Sequence, residues 1–298
     1  PFHGISRRLH HSPPGEALRV ASRSRISNSL VRIRYANGLT LILDHQPEAG
    51  TVAVQSWAPV GSRQEPERHN GIAHLLEHLV FRGTTNFTAE EIRGRARRFG
   101  GLLNAETTWE YSLYYALVPA YAWQPAAQLI ADLVLRPQIP EDTFETEKRV
   151  VLEEIARAHD DPRSYGALVV AQRAFPGHAL GRPIFGAKES IERIEWEDVV
   201  RFHQRYYHAA GMVVVMSGRF DEEAVIRRIA RLYADASSTA PRSFEGPKPA
   251  PTPNATPGSH TIRRLLLGAY VAIGAQTLNA HHPDAPAFEV LDAMLAGG

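Results

Sequence analysis

The sequence predicts an α+β protein. Stretches with a hydrophobic period of two and stretches with a period near 3.6 both occur along the chain, which calls for strands and helices. They are intermixed without the regular βαβ alternation of a parallel sheet, and no GxGxxG or P-loop accompanies them. At 298 residues the chain is long for one domain, and two domains are the expectation.

The elements follow in order. The first 35 residues are rich in Arg and Ser, with Glu16 the only acid, so residues 1–30 are expected to form a flexible basic arm or a transit peptide. VRIRYANGLTLIL alternates apolar and polar residues about Asn37-Gly38, a strong hairpin signal. TVAVQSWAPV reads as a further strand, and GIAHLLEHLVFRG as a helix stopped by Gly83. Thr88 and Glu91 have the spacing of a capping box, opening a helix that Gly100 ends. YSLYYALV has the aromatic and β-branched character of a strand. AYAWQPAAQLIADLVL, EDTFETEKRVVLEEIARAH, WEDVVRFHQRYY and DEEAVIRRIARLYAD are helical in period, and MVVVMSG is a buried strand before the last of these.

From residue 237 to 259 the chain changes character. Pro241, Pro247, Pro249, Pro251, Pro253 and Pro257 predict an extended, semi-rigid linker. Beyond it LLLGAYVAIGA reads as a strand and DAPAFEVLDAMLAGG as a helix. This tail echoes the earlier strand–helix–glycine order: aligning Gly297 with Gly83 puts Phe288, Leu291 and Asp292 where His74, Glu77 and His78 stand. The boundaries expected are an arm at 1–30, a first domain at 31–236, a linker at 237–260 and the start of a related second domain at 261–298.

Composition narrows the chemistry. A net charge of +1 gives no large field to attract nucleic acid or anionic lipid. There is no cysteine, so disulfides, thiolate nucleophiles and Cys-type metal sites are excluded. No apolar run reaches the roughly 20 residues of a membrane-spanning helix.

GIAHLLEHLVF poses a physical problem, since it sets two imidazoles and a carboxylate in an otherwise apolar helix, where an unpartnered charge is costly. Residues four apart share a helix face, so His74 and His78 can address one ion, with Glu77 bordering that face. Two imidazoles and one carboxylate from elsewhere make a three-ligand zinc site that leaves a position for water, and Glu77 then serves as general base. TEKRVVLEEIA offers Glu147, Glu153 and Glu154 for the third position. Seven residues is nearly two turns, so Glu147 and Glu154 share a face and Glu153 is turned about 100° away. Glu154 as ligand with Glu147 behind it is the economical assignment, which helix geometry alone does not decide.

NGLTLIL, GSRQEP, GIAHLLEHLVFRGT, FGGLLNAETTWEYSLYY, EKRVVLEEIARAHDDP and GMVVVMSGRF stand in an order and spacing that resembles one family. It is that of the inverted-motif (HxxEH) zinc peptidases, which includes pitrilysin, insulin-degrading enzyme and mitochondrial processing peptidase. The smaller bacterial processing-peptidase-like members are the nearest in pattern. The resemblance implies two related α/β-sandwich domains, the second cut short here. It implies one Zn2+ per chain held by His74, His78 and Glu154, with Glu77 as base and Glu147 as a second acid supporting catalysis. Asn104 and Ala105 match a sheet edge that receives extended substrate as an added strand, and Glu106 departs from the small or apolar residue expected beside them. The activity implied is hydrolysis of peptides or unfolded segments by a homodimer or a heterodimer with a related subunit. The alternative is a non-catalytic, substrate-holding subunit, although such relatives lose the HxxEH residues. The compartment stays open, with bacterial periplasm or cytoplasm favoured over a mitochondrial matrix.

Overall fold

A turn at Asn37-Gly38 closes the first hairpin, as its sequence predicts. Gly38 takes a φ of +90°, which a side chain would resist, and its N–H donates to the Tyr35 carbonyl at 3.0 Å. The computed structural model describes residues 17–98, 100–236, 258–265 and 268–296. In chain order the strands and helices are β1 (Val20–Arg25), β2 (Leu30–Tyr35), β3 (Thr40–His45), β4 (Thr51–Ala58), α1 (Ile72–Val80), α2 (Ala89–Arg98), β5 (Leu102–Thr107) and β6 (Ser112–Pro119). Then come α3 (Trp123–Leu135), α4 (Glu141–Asp160), α5 (Pro162–Ala174), α6 (Lys188–Arg193), α7 (Trp196–Tyr206), β7 (Val213–Gly218), α8 (Glu222–Leu232) and α9 (Ala285–Ala296).

The strands form one seven-stranded sheet in the order β1-β2-β3-β7-β4-β6-β5. Only the β3–β7 pair is parallel; the other pairings are antiparallel. Period-two patterning fixes the register, because a slip of one residue would turn each apolar set to the wrong side. Val31, Ile33, Leu41, Leu43, Val52, Val54, Tyr114, Ala116, Val214 and Met216 are all buried on one face. The helical layer, including α3 and α8, covers it. The opposite face, with Gln55, Trp57, Tyr115, Val213 and Val215, is only half-buried. MVVVMSG is therefore half-buried, alternating like its neighbours, and not buried throughout.

At the β5 end of the sheet, α1 packs against β5 and against α4 and α7. The box opening α2 forms as its spacing predicts: Thr88 N donates to Glu91 Oε2 at 2.8 Å, and Glu91 N to Thr88 Oγ1 at 3.2 Å.

Some elements differ from expectation. Val20–Arg25, inside the stretch expected to be an arm, is the edge strand β1, paired to β2 and tied to α8 by Arg23 at 2.9 Å from Glu222. All six of its residues are exposed, so no burial pattern marks it in the sequence. Helix α5 buries no residue and so shows no apolar stripe; local chemistry starts it, with Asp161 accepting from Ser164 N at 2.8 Å and Pro162 in its first turn. LLLGAYVAIGA forms no strand over residues 268–275. It runs along α5, Gln276 donating to the Ala174 carbonyl, and has no strand beside it among the described residues to satisfy a ladder. The proline run of the expected linker lies outside the described residues.

Candidate active site

Helix α1 is held by its apolar residues, with Ile72, Ala73, Leu75, Leu76, Leu79 and Val80 all buried. Burial of a large aliphatic side chain contributes about 1.5–3 kcal/mol, so three leucines fix the rotation of this short helix. That rotation turns His74, Glu77 and His78 toward α4 and β5. The rings of His74 and His78 stand 4.8 Å apart, centroid to centroid.

Helix α4 brings its acids to the same place. Glu154 Oε2 lies 3.8 Å from His74 Nε2 and 3.5 Å from His78 Nε2. One ligand-capable atom from each of His74, His78 and Glu154 falls within 4.8 Å of the others. Glu147, two turns back and 1 % exposed, reaches His78 from behind: its Oε2 is 3.5 Å from Nδ1. Its other oxygen faces Arg82 Nη2 at 2.6 Å, an ion pair whose approach lies off the hydrogen-bonding direction. Glu153 instead points outward and pairs with Arg157 at 3.8 Å.

Glu77 stands beside the cluster without joining it. Thr107 on β5 donates its hydroxyl to Glu77 Oε2 at 2.5 Å. Burial pushes the Glu77 carboxyl upward, while the Thr107 hydrogen bond and His78 pull it down, and Glu154 and Glu106 push it up again. Burial, with His78 next to it, lowers His74 to about 4 and keeps that ring neutral at ordinary pH. A neutral imidazole is the form that ligates a metal.

Asn104 and Ala105 lie on β5, facing Tyr115 and Tyr114 of β6. β5 is the last strand of the sheet, so its outer backbone edge has no partner strand among the described residues. Asn104 is exposed and Ala105 buried, as period two requires.

Of the seven residues singled out in the sequence, five gather at one place: His74, Glu77 and His78 on α1, Glu147 and Glu154 on α4. Asn104 and Ala105 lie on the strand that carries Thr107. Thr107 and Arg82 were not foreseen as site residues. Arg82 could have been found four residues after His78, just past the end of α1; the Thr107–Glu77 contact spans 30 positions and has no local signal. Of the other histidines named by their sequence positions, His203 is tied to the Val134 carbonyl at 2.8 Å, His281 is exposed and His282 is half-buried.

Residues 40–188 match the family model of insulinase, peptidase family M16, and residues 193–298 match that of the peptidase M16 inactive domain. The chain belongs to peptidase family M16. An uncharacterized zinc protease of Mycobacterium leprae is 32 % identical over 297 residues, covering 98 % of this chain and 65 % of that protein. One from Bacillus subtilis is 32 % identical over 189 residues, covering 63 % of this chain and 46 % of its own length. This M16 chain therefore spans less than two thirds of the length of these relatives. Its fold is that of a protease from Helicobacter pylori (TM-score 0.69, 24 % identity, covering 77 % of this chain and 54 % of that one). Pitrilysin shares it too (TM-score 0.65, 24 % identity, covering 74 % and 25 %).

Proposed function

We propose that this chain carries the metal-binding half of a zinc endopeptidase that cuts peptides or unfolded segments. The observation that carries the reading is the convergence of His74, His78 and Glu154 within 4.8 Å, with Glu77 beside them and not among them. The donor set fits zinc: two imidazoles and one carboxylate leave room for a fourth position. His74 fits as well, since its Nε2 faces Glu154 and its ring is neutral. One ion per chain is the stoichiometry this arrangement supports. The relatives' names as zinc proteases point the same way.

Bound zinc supplies a Lewis acid that polarises the scissile carbonyl and eases deprotonation of water. The residues of the chain do the rest. Glu77 takes the proton of the attacking water on its carboxylate and returns one to the departing amine. Thr107 fixes that carboxylate through Oε2. Glu147 faces Nδ1 of His78 and so orients the ring, and Arg82 balances the charge of Glu147. The free edge of β5, at Asn104 and Ala105, takes the substrate backbone as an added strand. A second copy or a related subunit would enclose the substrate from the other side. Full activity of the natural protein sedimenting as a lone monomer would remove that part.

Glu77→Gln tests the assignment in the natural protein. Bound metal should stay at the parent level while peptide hydrolysis falls by about 10²-fold or more. Metal loss matching that of His74→Ala would make Glu77 a ligand, unchanged hydrolysis would remove it as the base, and a parent without hydrolysis would leave the chain a substrate-holding subunit.

A further inference from the structure

Helix α1 has only nine residues and no side-chain cap of its own. Its N-cap, Gly71, has a φ of +98°, and a Cβ there would lie 2.7 Å from the Phe185 carbonyl oxygen. Two amides at its start are nevertheless satisfied, from a distance. Glu65, six residues earlier in a separate turn and 4 % exposed, accepts from Gly71 N on Oε2 and from Ala73 N on Oε1, each at 2.8 Å. Its Oε2 also accepts from Asn70 Nδ2 at 2.8 Å. A carboxylate here faces the positive end of the helix dipole as well as three N–H groups.

The turn itself is anchored. Asn70 Nδ2 also donates to the Pro183 carbonyl at 3.0 Å, and Ser190 Oγ donates to the Asn70 carbonyl at 2.7 Å. Arg182 Nη2 donates to the Glu65 carbonyl at 3.2 Å. The start of α1 is thus clasped between the turn holding Glu65 and the segment running from Arg182 to Ser190. Ala73, which donates to Glu65, directly precedes His74. Burial pushes the Glu65 carboxyl up to about 7 even against the pull of Gly71, Ala73, Asn70 and Arg182.

We propose that Glu65 is a positioning residue for the metal site: its carboxylate pins the first turn of α1 and thereby sets His74 against His78 and Glu154. The proposal rests on the metal-site reading above. It assigns a role to a side chain that touches neither ion nor substrate. An uncapped first turn leaves two buried N–H groups without partners, each costing about 1–3 kcal/mol, and the turn must shift to regain them. His74 moves with it, while His78, a full turn deeper in the helix, moves less.

The natural protein with Glu65→Gln and Glu65→Leu provides the test, with Val225→Ala as comparison. Val225 is fully buried on α8, away from the site, so its truncation destabilises the fold without touching α1. The glutamine keeps one acceptor and places a donor against an N–H; the leucine removes both acceptors. Hydrogen exchange over residues 71–80 is measured first without metal, then Co2+ is titrated and its visible absorption recorded. Expected are faster exchange in both Glu65 variants, cobalt affinity weaker by about tenfold, and an altered cobalt spectrum. Val225→Ala at a matched loss of melting temperature should leave affinity and spectrum at parent values. Unchanged exchange in both Glu65 variants overturns the proposal. So do cobalt affinity and spectrum that Val225→Ala reproduces. If the parent binds no cobalt while exchange responds to Glu65, the metal-site reading fails, and Glu65 is a helix cap and nothing more.

Discussion

Arg82→Met removes the cation facing a carboxylate that has almost no access to water. Glu147 is 1 % exposed, and Arg82 Nη2 lies 2.6 Å from it. Breaking a buried pair by deleting one partner costs about 3–5 kcal/mol, because the other charge stays buried and uncompensated. Two features of the structure reduce that figure. The Arg82 side chain is 36 % exposed, so water screens part of the attraction, and His78 Nδ1 remains 3.5 Å from the other Glu147 oxygen. A loss of about 2 kcal/mol is expected for Arg82→Met. Glu147→Gln should cost only about 1 kcal/mol, since the freed guanidinium can turn to solvent. The double variant has no buried charge to strand, so the two losses should not add, and the coupling should be about 1–1.5 kcal/mol. Urea unfolding of the metal-free protein, at constant slope, measures the cycle. Additivity within about 0.5 kcal/mol would refute the claim that Arg82 exists to balance Glu147.

Two further outcomes follow from the structure. Thr107→Val removes the hydroxyl that holds Glu77 while keeping the shape of the side chain; kcat for peptide hydrolysis should fall about tenfold with zinc content unchanged, and an unchanged kcat would show that the Thr107 bond is incidental. His203 is lowered to about 4 by burial, against an ordinary 6.5, so the folded chain holds it neutral. The unfolded chain takes up the proton first, and stability present above pH 6.5 is lost as pH falls toward 4, by about 2 kcal/mol at pH 5. His203→Gln should flatten that part of the stability profile measured by urea midpoints at pH 7 and pH 5, and an equally steep fall in the variant would assign it elsewhere.

Much of the site was legible because the sequence places costly groups where only a purpose explains them. Two histidines and a glutamate in an apolar helix demand partners, and the spacing of Glu147 and Glu154 put both on one face of α4 with Glu153 turned away. The structure places all of them as that periodicity requires. The partners of Glu77 and Glu147 were harder to read. Thr107 reaches Glu77 through strand-to-helix packing, which leaves no periodic trace. Arg82, just past the end of α1, has nothing in its sequence neighbourhood to reveal the buried acid it faces. In the fold, the hairpin and the capping box were local chemistry and were plain in advance. β1 is wholly exposed and α5 buries nothing, so neither carries the hydrophobic signal that a period-based reading needs. LLLGAYVAIGA has strand-like residues but no neighbouring strand in the described residues, and pairing, not propensity, decides a strand.

On the proposed reading, α1 and α4 together hold one zinc ion through His74, His78 and Glu154. Metal analysis of the purified natural protein and five single variants tests it most directly. Expected are about one zinc per chain in the parent, in Glu77→Gln and in Glu153→Gln, and loss of most zinc in His74→Ala, His78→Ala and Glu154→Gln. Zinc retained by Glu154→Gln and lost by Glu153→Gln, or a parent that takes up no zinc at all, would contradict it.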